Sequence, residues 1–337
     1  MLTGRLYIDG NDVYAQYGVY VVKDGWNEVI AYPPLKAVTS NDWQEMDGVE
    51  ADLSNPVLNT REVQLKIAYD GLYGRFFTLI EHLSDGAYHT FEAASIGRTF
   101  RLRLASVPNL KEAQNLGTVT LKLADDFPLR NYAYRAPQSS IAPYEDYTFD
   151  GVPFTNYGAR VLKGTLAEVI KPAAVKPNLL RNIASLSGAM YDGANVFYKA
   201  KDVKVFFLMR ATSLEQLWRN YDALLYDLIR PDERNLYVES LGQTFPCYYK
   251  SCQVTKFYPT GKIWLQFTLT FTFTRDFRIG DNDIVLAAEN GVIIFTEDNL
   301  YAIDMKPARL DRATVRFVNN RQTLRLTGNG SFRFNNK

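Results

Sequence analysis

The chain has 337 residues, of which 47% are apolar and 14% aromatic, with 38 basic and 37 acidic side chains and a net charge of +1. That length points to two or three globular domains, and the near-zero charge excludes an overall field for holding nucleic acid or an anionic membrane. No run approaches 18 apolar residues and the N-terminus lacks a secretory pattern, so the expectation is a soluble protein without membrane contact.

Taken in chain order, YGVYVVKDGWNEVI at 17–30 returns as YGARVLKGTLAEVI at 157–170 with half its letters unchanged. The register persists: REVQLKI at 61 answers KDVKVFF at 201, SIGRTF at 95 answers SLGQTF at 240, and GTVTLKL at 117 answers GKIWLQF at 261. An offset held at about 140 residues over this length marks a tandem duplication. Within each copy, YGVYVV and EVI read as short strands. REVQLKIAY alternates apolar and polar residues as a half-buried strand. Phe76, Leu79, Ile80 and Leu83 form one apolar helix stripe, and Leu217, Trp218, Tyr221, Leu224, Leu225 and Leu228 form a bulkier one after a Thr212 or Ser213 cap. Two long strands close each copy.

The expected fold is therefore mainly β, a duplicated β sandwich or open barrel with one helix per copy. The divisions are copy one at 1–130, a linker at 131–143 within the Pro- and Tyr-rich 131–147 stretch, copy two at 144–278, and a small C-terminal β element at 279–337. Arg309, Arg312, Arg316, Arg321, Arg325, Arg333 and Lys337 make that last element basic. They read as protection of an exposed strand edge, with phosphate binding as the other reading.

No catalytic, cofactor-binding or metal residues emerge. Cys247 and Cys252 lie ~16 Å apart along a continuous strand, on opposite faces, and are expected as free thiols. His82 and His89, the only histidines, supply no ligand set by spacing, and His82 reads as a helix-boundary residue. Trp218 and Trp264 fall in core patterns, whereas Trp26 and Trp43 look exposed enough to serve as sugar platforms. The one candidate functional segment is the long loop at 38–60, where Asp42, Glu45, Asp47, Glu50 and Asp52 are uninterrupted by Lys or Arg. It reads either as a solvated loop or as a placed negative surface.

IDGNDVYAQYG and FDGVPFTNYG resemble the opening of phage distal tail and tail-hub proteins. The succession of alternating strand, amphipathic helix and two strands ending in Asp126-Phe127 and Asp276-Phe277 is similar to their tail-tube-like domain. The resemblance covers residues 1 to about 278 and implies a non-enzymatic virion structural protein, made in the host cytoplasm and located in the tail. It implies a ring joining the tail tube to the receptor-binding apparatus, with tube, hub and receptor-binding proteins as neighbours and DNA passing without adhering. Duplication suits a trimer supplying six similar units, with a hexamer as the other stoichiometry. The acidic loop is then a channel or ring-contact element. The rival reading is a two-domain carbohydrate-binding or adhesion protein.

Overall fold

The computed structural model describes residues 2–71, 73–113, 116–128, 132–176, 181–182, 184–185, 187–190, 196–275 and 277, and the strands at 303–306, 314–317 and 323–325. The protein is mainly β. In the first part run β1 (Tyr7–Ile8), β2 (Asn11–Asp12), α1 (Val13–Tyr17), β3 (Val19–Val21), α2 (Asn27–Ile30), β4 (Ser40–Asn41), β5 (Glu50–Ala51), β6 (Arg61–Asp70), α3 (Tyr73–Leu83), β7 (His89–Ala93), β8 (Arg98–Ala113) and β9 (Leu116–Asp125). In the second run β10 (Tyr147–Phe149), β11 (Val152–Pro153), β12 (Ala159–Val161), α4 (Thr165–Ile170), β13 (Arg181–Asn182), β14 (Ala189–Met190), β15 (Lys201–Ala211), α5 (Leu214–Leu228), β16 (Arg234–Val238), β17 (Gln243–Tyr258) and β18 (Ile263–Phe273).

The main strands form two antiparallel seven-stranded sheets, ordered β2-β1-β7-β8-β9-β6-β3 and β11-β10-β16-β17-β18-β15-β12. Replacing each strand by its counterpart turns one order into the other, and Val63 and Val203 stand on the matching strands β6 and β15. Both sheets open with a two-residue hairpin, Asp9-Gly10 and Asp150-Gly151, in which all four residues have positive φ. Asn-Gly and Asp-Gly pairs favour this turn because its twist matches that of the strands. Three further strands, β19 (Ile303–Lys306), β20 (Thr314–Phe317) and β21 (Thr323–Arg325), make a small antiparallel sheet. The remainder of the C-terminal stretch, including the basic cluster apart from the backbone of Arg316 and Arg325, lies outside the described residues, as does Asp276.

Alternation decides the inner faces. Val63, Leu65, Ile67 and Tyr69 point inward from β6, and Val203, Val205, Phe207 and Met209 from β15. The helices cover these faces: Phe76 stacks on Tyr69 with centroids 4.8 Å apart, and Tyr221 meets Phe267 edge-on at 5.4 Å. One continuous buried cluster, from Leu6 to Phe277, spans both sheets. Helix α5 starts at Ser213, whose hydroxyl accepts the Gln216 amide at 3.1 Å, while Gln216 Oε1 accepts the Thr212 amide at 2.8 Å. This reciprocal cap ties down a glutamine that the stripe alone places in solvent.

The structure corrects four expectations. The EVI segments are short helices, α2 and α4, because three apolar letters are too few for periodicity to separate strand from helix. Trp26 is buried rather than exposed, stacked on Phe100. Trp264 is only partly buried, stacked on Tyr258 on the outer side of β18. A bulge between Tyr249 and Ser251 resets the alternation of β17, so Cys252 reaches Tyr221 and packs against the same core as buried Cys247. Both cysteines are free. Burial pushes the Cys252 thiol up to about 11.

Leu217 is fully buried and Glu215 exposed. Leu217→Asp is expected to cost about 3–5 kcal/mol by burying an uncompensated charge, and Glu215→Gln less than about 1 kcal/mol. Urea unfolding of the two variants checks this, and equal losses would contradict the helix-face assignment.

Candidate functional site: the joint between the two sheets

The first sheet presents α2 and the chain behind it, and the second presents α5 and the far half of β17. Tyr32 and Tyr221 stack with centroids 4.0 Å apart. The Tyr32 hydroxyl donates to the Tyr221 carbonyl at 2.5 Å, and the Tyr221 hydroxyl donates to the Ile30 carbonyl at 3.1 Å. Trp218 Nε1 donates to the Ile96 carbonyl at 2.6 Å. Arg98 pairs with Asp222 at 2.8 Å while its guanidinium lies 4.6 Å from the centre of the Trp218 ring, a cation–π contact. Asn27 Nδ2 donates to the Thr255 carbonyl, and the Leu35 amide to that of Lys250. Burial pushes the pKa of Tyr32 and of Tyr221 well above the ordinary phenol range, so both remain proton donors.

The acidic loop lies against the second half of the chain. Asp42 pairs with Lys176 at 2.5 Å, and Asp47 accepts the Tyr198 amide at 2.8 Å. Glu50 accepts from Trp43 Nε1, and Asp52 accepts the Ser54 hydroxyl and amide, which hold its carboxyl below the usual range. Glu45 is exposed. Asp42 and Asp47 thus join the loop to the second half, while Glu50 and Asp52 shape the loop itself.

At the centre sits Lys176, a buried ammonium whose donors go to Asp42 and to the carbonyls of Trp43 at 2.6 Å and Gly48 at 2.7 Å. Gly48 is required there. Its φ is +72°, and an added Cβ would sit 1.5 Å from the Thr274 carbonyl oxygen. Sequence reasoning missed Lys176, which no local pattern marks in AAVKP. It also missed Tyr32 and the pairing role of Trp218 and Tyr221, although the greater width of the α5 stripe relative to α3 signals a second buried side.

No family model matches the chain, and no curated protein matches it. Among solved structures it shows a weak likeness to the crystal structure of the SPP1 Dit (gp 19.1) protein, titled a paradigm of the hub adsorption apparatus in phages infecting Gram-positive bacteria. Identity is 14%, covering 80% of this chain and 98% of that chain, with a TM-score of 0.27. Among the described residues no helix is long and apolar enough to cross a membrane.

Replacing Lys176 by Met leaves the buried Gly48 carbonyl and the partly buried Trp43 carbonyl without their donor, an expected loss of about 1–3 kcal/mol in urea unfolding. Asp42→Asn, at a half-exposed carboxylate, is expected to cost no more than about 1 kcal/mol. Lys176→Met is further expected to open Glu45 and Glu50 to a glutamate-specific protease, and a loop equally resistant in both proteins would contradict the anchoring role.

Proposed function

We propose that the chain is a structural protein of a phage or prophage tail. It forms a ring at the distal tail or hub, joins the tail tube to the receptor-binding apparatus, and lets DNA pass. The motifs shared with distal tail and hub proteins support the tail assignment, and the joint supports the ring.

The joint is heterologous, since each sheet contributes a different face. Among the described residues the same two faces recur, more exposed, on the outer flanks. Leu166, Ile170 and Val175 occupy the positions of Trp26, Ile30 and Leu35 in the repeat. In the first sheet Trp26 is 8% and Ile30 3% exposed, whereas Leu166, Ile170 and Val175 are 37%, 48% and 48% exposed. On the helices, counting from the buried Phe76 and Leu217, Phe77 and Glu81 stand where α5 carries Trp218 and Asp222. Trp218 is 6% exposed and Phe77 46%. Repeating the internal joint between chains seats the α4 face of one chain on the α3 face of the next, and a head-to-tail contact of this kind closes into a ring when its rotation permits. Three chains then supply six sheets around one axis; six chains is the other stoichiometry.

Within the ring, the loop bearing Asp42, Glu45, Asp47, Glu50 and Asp52 faces the channel or the neighbouring ring. Each Lys or Arg meeting phosphate adds salt-dependent affinity, and a carboxylate surface avoids it. Tube, hub and receptor-binding proteins are the neighbours, and the role is structural rather than enzymatic. The adhesion reading is weakened by its platforms: Trp26 is buried, and Trp43 is engaged through its ring nitrogen with Glu50.

Native mass measurement tests this. Three chains of 38.4 kDa form a particle of about 115 kDa. Ile170→Asp and Phe77→Glu, both at exposed positions, are each expected to return single chains with unchanged circular dichroism. A wild-type protein that stays a single chain at every concentration overturns the ring, a six-chain mass overturns the trimer, and variants that assemble normally overturn the interface.

A further inference from the structure

The chain's only two histidines meet at one carboxylate. Asp9 lies in the β1–β2 turn, His82 in the last turn of α3, and His89 at the start of β7. Asp9 Oδ2 is 3.0 Å from His82 Nε2 and 2.7 Å from His89 Nδ1, and one ligand atom from each residue lies within 4.8 Å of the others. His89 is buried, while Asp9 and His82 reach solvent on one side. Asp9 Oδ1 accepts the Thr90 amide at 2.8 Å, and His89 Nε2 lies 3.1 Å from Asp85 Oδ1. Partial burial opposes the charge on Asp9, but the Thr90 amide and the two imidazoles outweigh it and hold the carboxyl below its ordinary range.

Asp85 is placed to take the Nε2 proton of His89. With the proton on Nε2, the Nδ1 lone pair faces Asp9 Oδ2 at 2.7 Å, an arrangement that a bound cation satisfies; with the proton on Nδ1, the ring donates to Asp9 instead. The second sheet shows a cation at the equivalent place. Asp150 has the same φ of 49° as Asp9, its Oδ1 accepts the Asn235 amide at 2.9 Å, and its Oδ2 meets the Arg234 guanidinium at 3.1 Å. Arg234 opens β16 as His89 opens β7. Where the second sheet has a permanent charge, the first has two imidazoles.

We infer that Asp9, His82 and His89 form a site for a divalent transition cation of the zinc class. Two imidazole nitrogens and one carboxylate oxygen, with the fourth position toward solvent, make a borderline donor set that suits Zn²⁺ and is poor for Mg²⁺ or Ca²⁺, which favour oxygen throughout. Tetrahedral ligands at zinc distances stand ~3.3 Å apart, so binding draws the two imidazole nitrogens together from their present span of up to 4.8 Å and moves the Asp9 carboxylate slightly outward. Asp85 behind His89 is the outer carboxylate that orients a metal-bound imidazole. The ion ties the first hairpin, the end of α3 and the β7 strand together, as Arg234 ties the corresponding hairpin and strand.

The test uses the full chain stripped with EDTA, titrated with ZnCl₂ by calorimetry and with Co²⁺ by visible absorption. One Zn²⁺ per chain and ligand-field bands from Co²⁺ are expected. His82→Ala, at a partly exposed position, weakens zinc binding by about tenfold or more. His89→Arg, which copies the second sheet, abolishes it while keeping the wild-type circular dichroism. Absence of zinc binding by the wild-type chain overturns the site in favour of a protonated imidazole between the carboxylates, and an unchanged zinc affinity in His82→Ala overturns it alone.

Discussion

Residues 30–33 run through the interior between the two sheets, and their carbonyls must find donors there or carry the cost of desolvation. Tyr221 donates to Ile30, Arg61 to Ala31 and Tyr249 to Pro33. Two of these three donors come from the second sheet, and Tyr32 returns a bond to the Tyr221 carbonyl. A buried polar group without a partner costs roughly 1–3 kcal/mol, so sliding one sheet against the other would forfeit several such bonds together. Hydrophobic burial alone would hold the sheets at many offsets. The phenols of Tyr32, Tyr221 and Tyr249 select one, while Arg61 fixes the 30–33 segment to its own sheet.

That selection explains the unequal helices. Helix α5 is covered by its own sheet, by the first sheet, and by residues 132–138, which lie along it. Gln138 and Asn220 exchange two hydrogen bonds at 2.7 and 2.9 Å, and Arg219 donates to the Ala136 carbonyl. Three contacts need a wide apolar and amphipathic surface, which Trp218, Tyr221, Leu224 and Leu225 supply. Helix α3 has a narrower buried stripe, on Phe76, Leu79 and Leu83.

The repeated order of elements was legible because periodicity in β6, β15, α3 and α5 reports burial of one face against a partner nearby in sequence. The Asp-Gly pairs also carried a hairpin signal that composition-level reading passed over. What was illegible comes from contacts between distant segments and from one strand bulge. Trp26 looks like a surface tryptophan beside a turn, yet it stacks on Phe100, and the neighbouring Asn27 bonds the Thr255 carbonyl of the second sheet. The acidic run from Asp42 to Asp52 looked uniform, yet Lys176 and the Tyr198 amide engage two of its members and not the rest. The bulge at Tyr249–Ser251 inverted the expected facing of Cys252, since one extra residue shifts a period-two pattern by half its cycle. Contacts set by chain segments more than a hundred residues apart leave no local pattern.

On the ring reading, duplication changes how assembly proceeds. Half of the joints are internal, and their partners are held together by a segment that packs on α5, so they form at a local concentration in the millimolar range or above rather than by diffusion. Only the other half must form between chains. The faces left for that purpose are the more modest ones: Leu166, Ile170 and Val175 replace Trp26, Ile30 and Leu35, and Phe77 replaces Trp218. Scattered mid-sized apolar residues are tolerated on an exposed surface, whereas faces carrying Trp26 with Tyr32, or Trp218 with Tyr221, would be contiguous patches of the kind that drives premature association. On that reading, the differences between the two halves place the strong half of the interface inside the chain and the weak half outside. On the same reading, a ring closes only when several weak contacts form cooperatively.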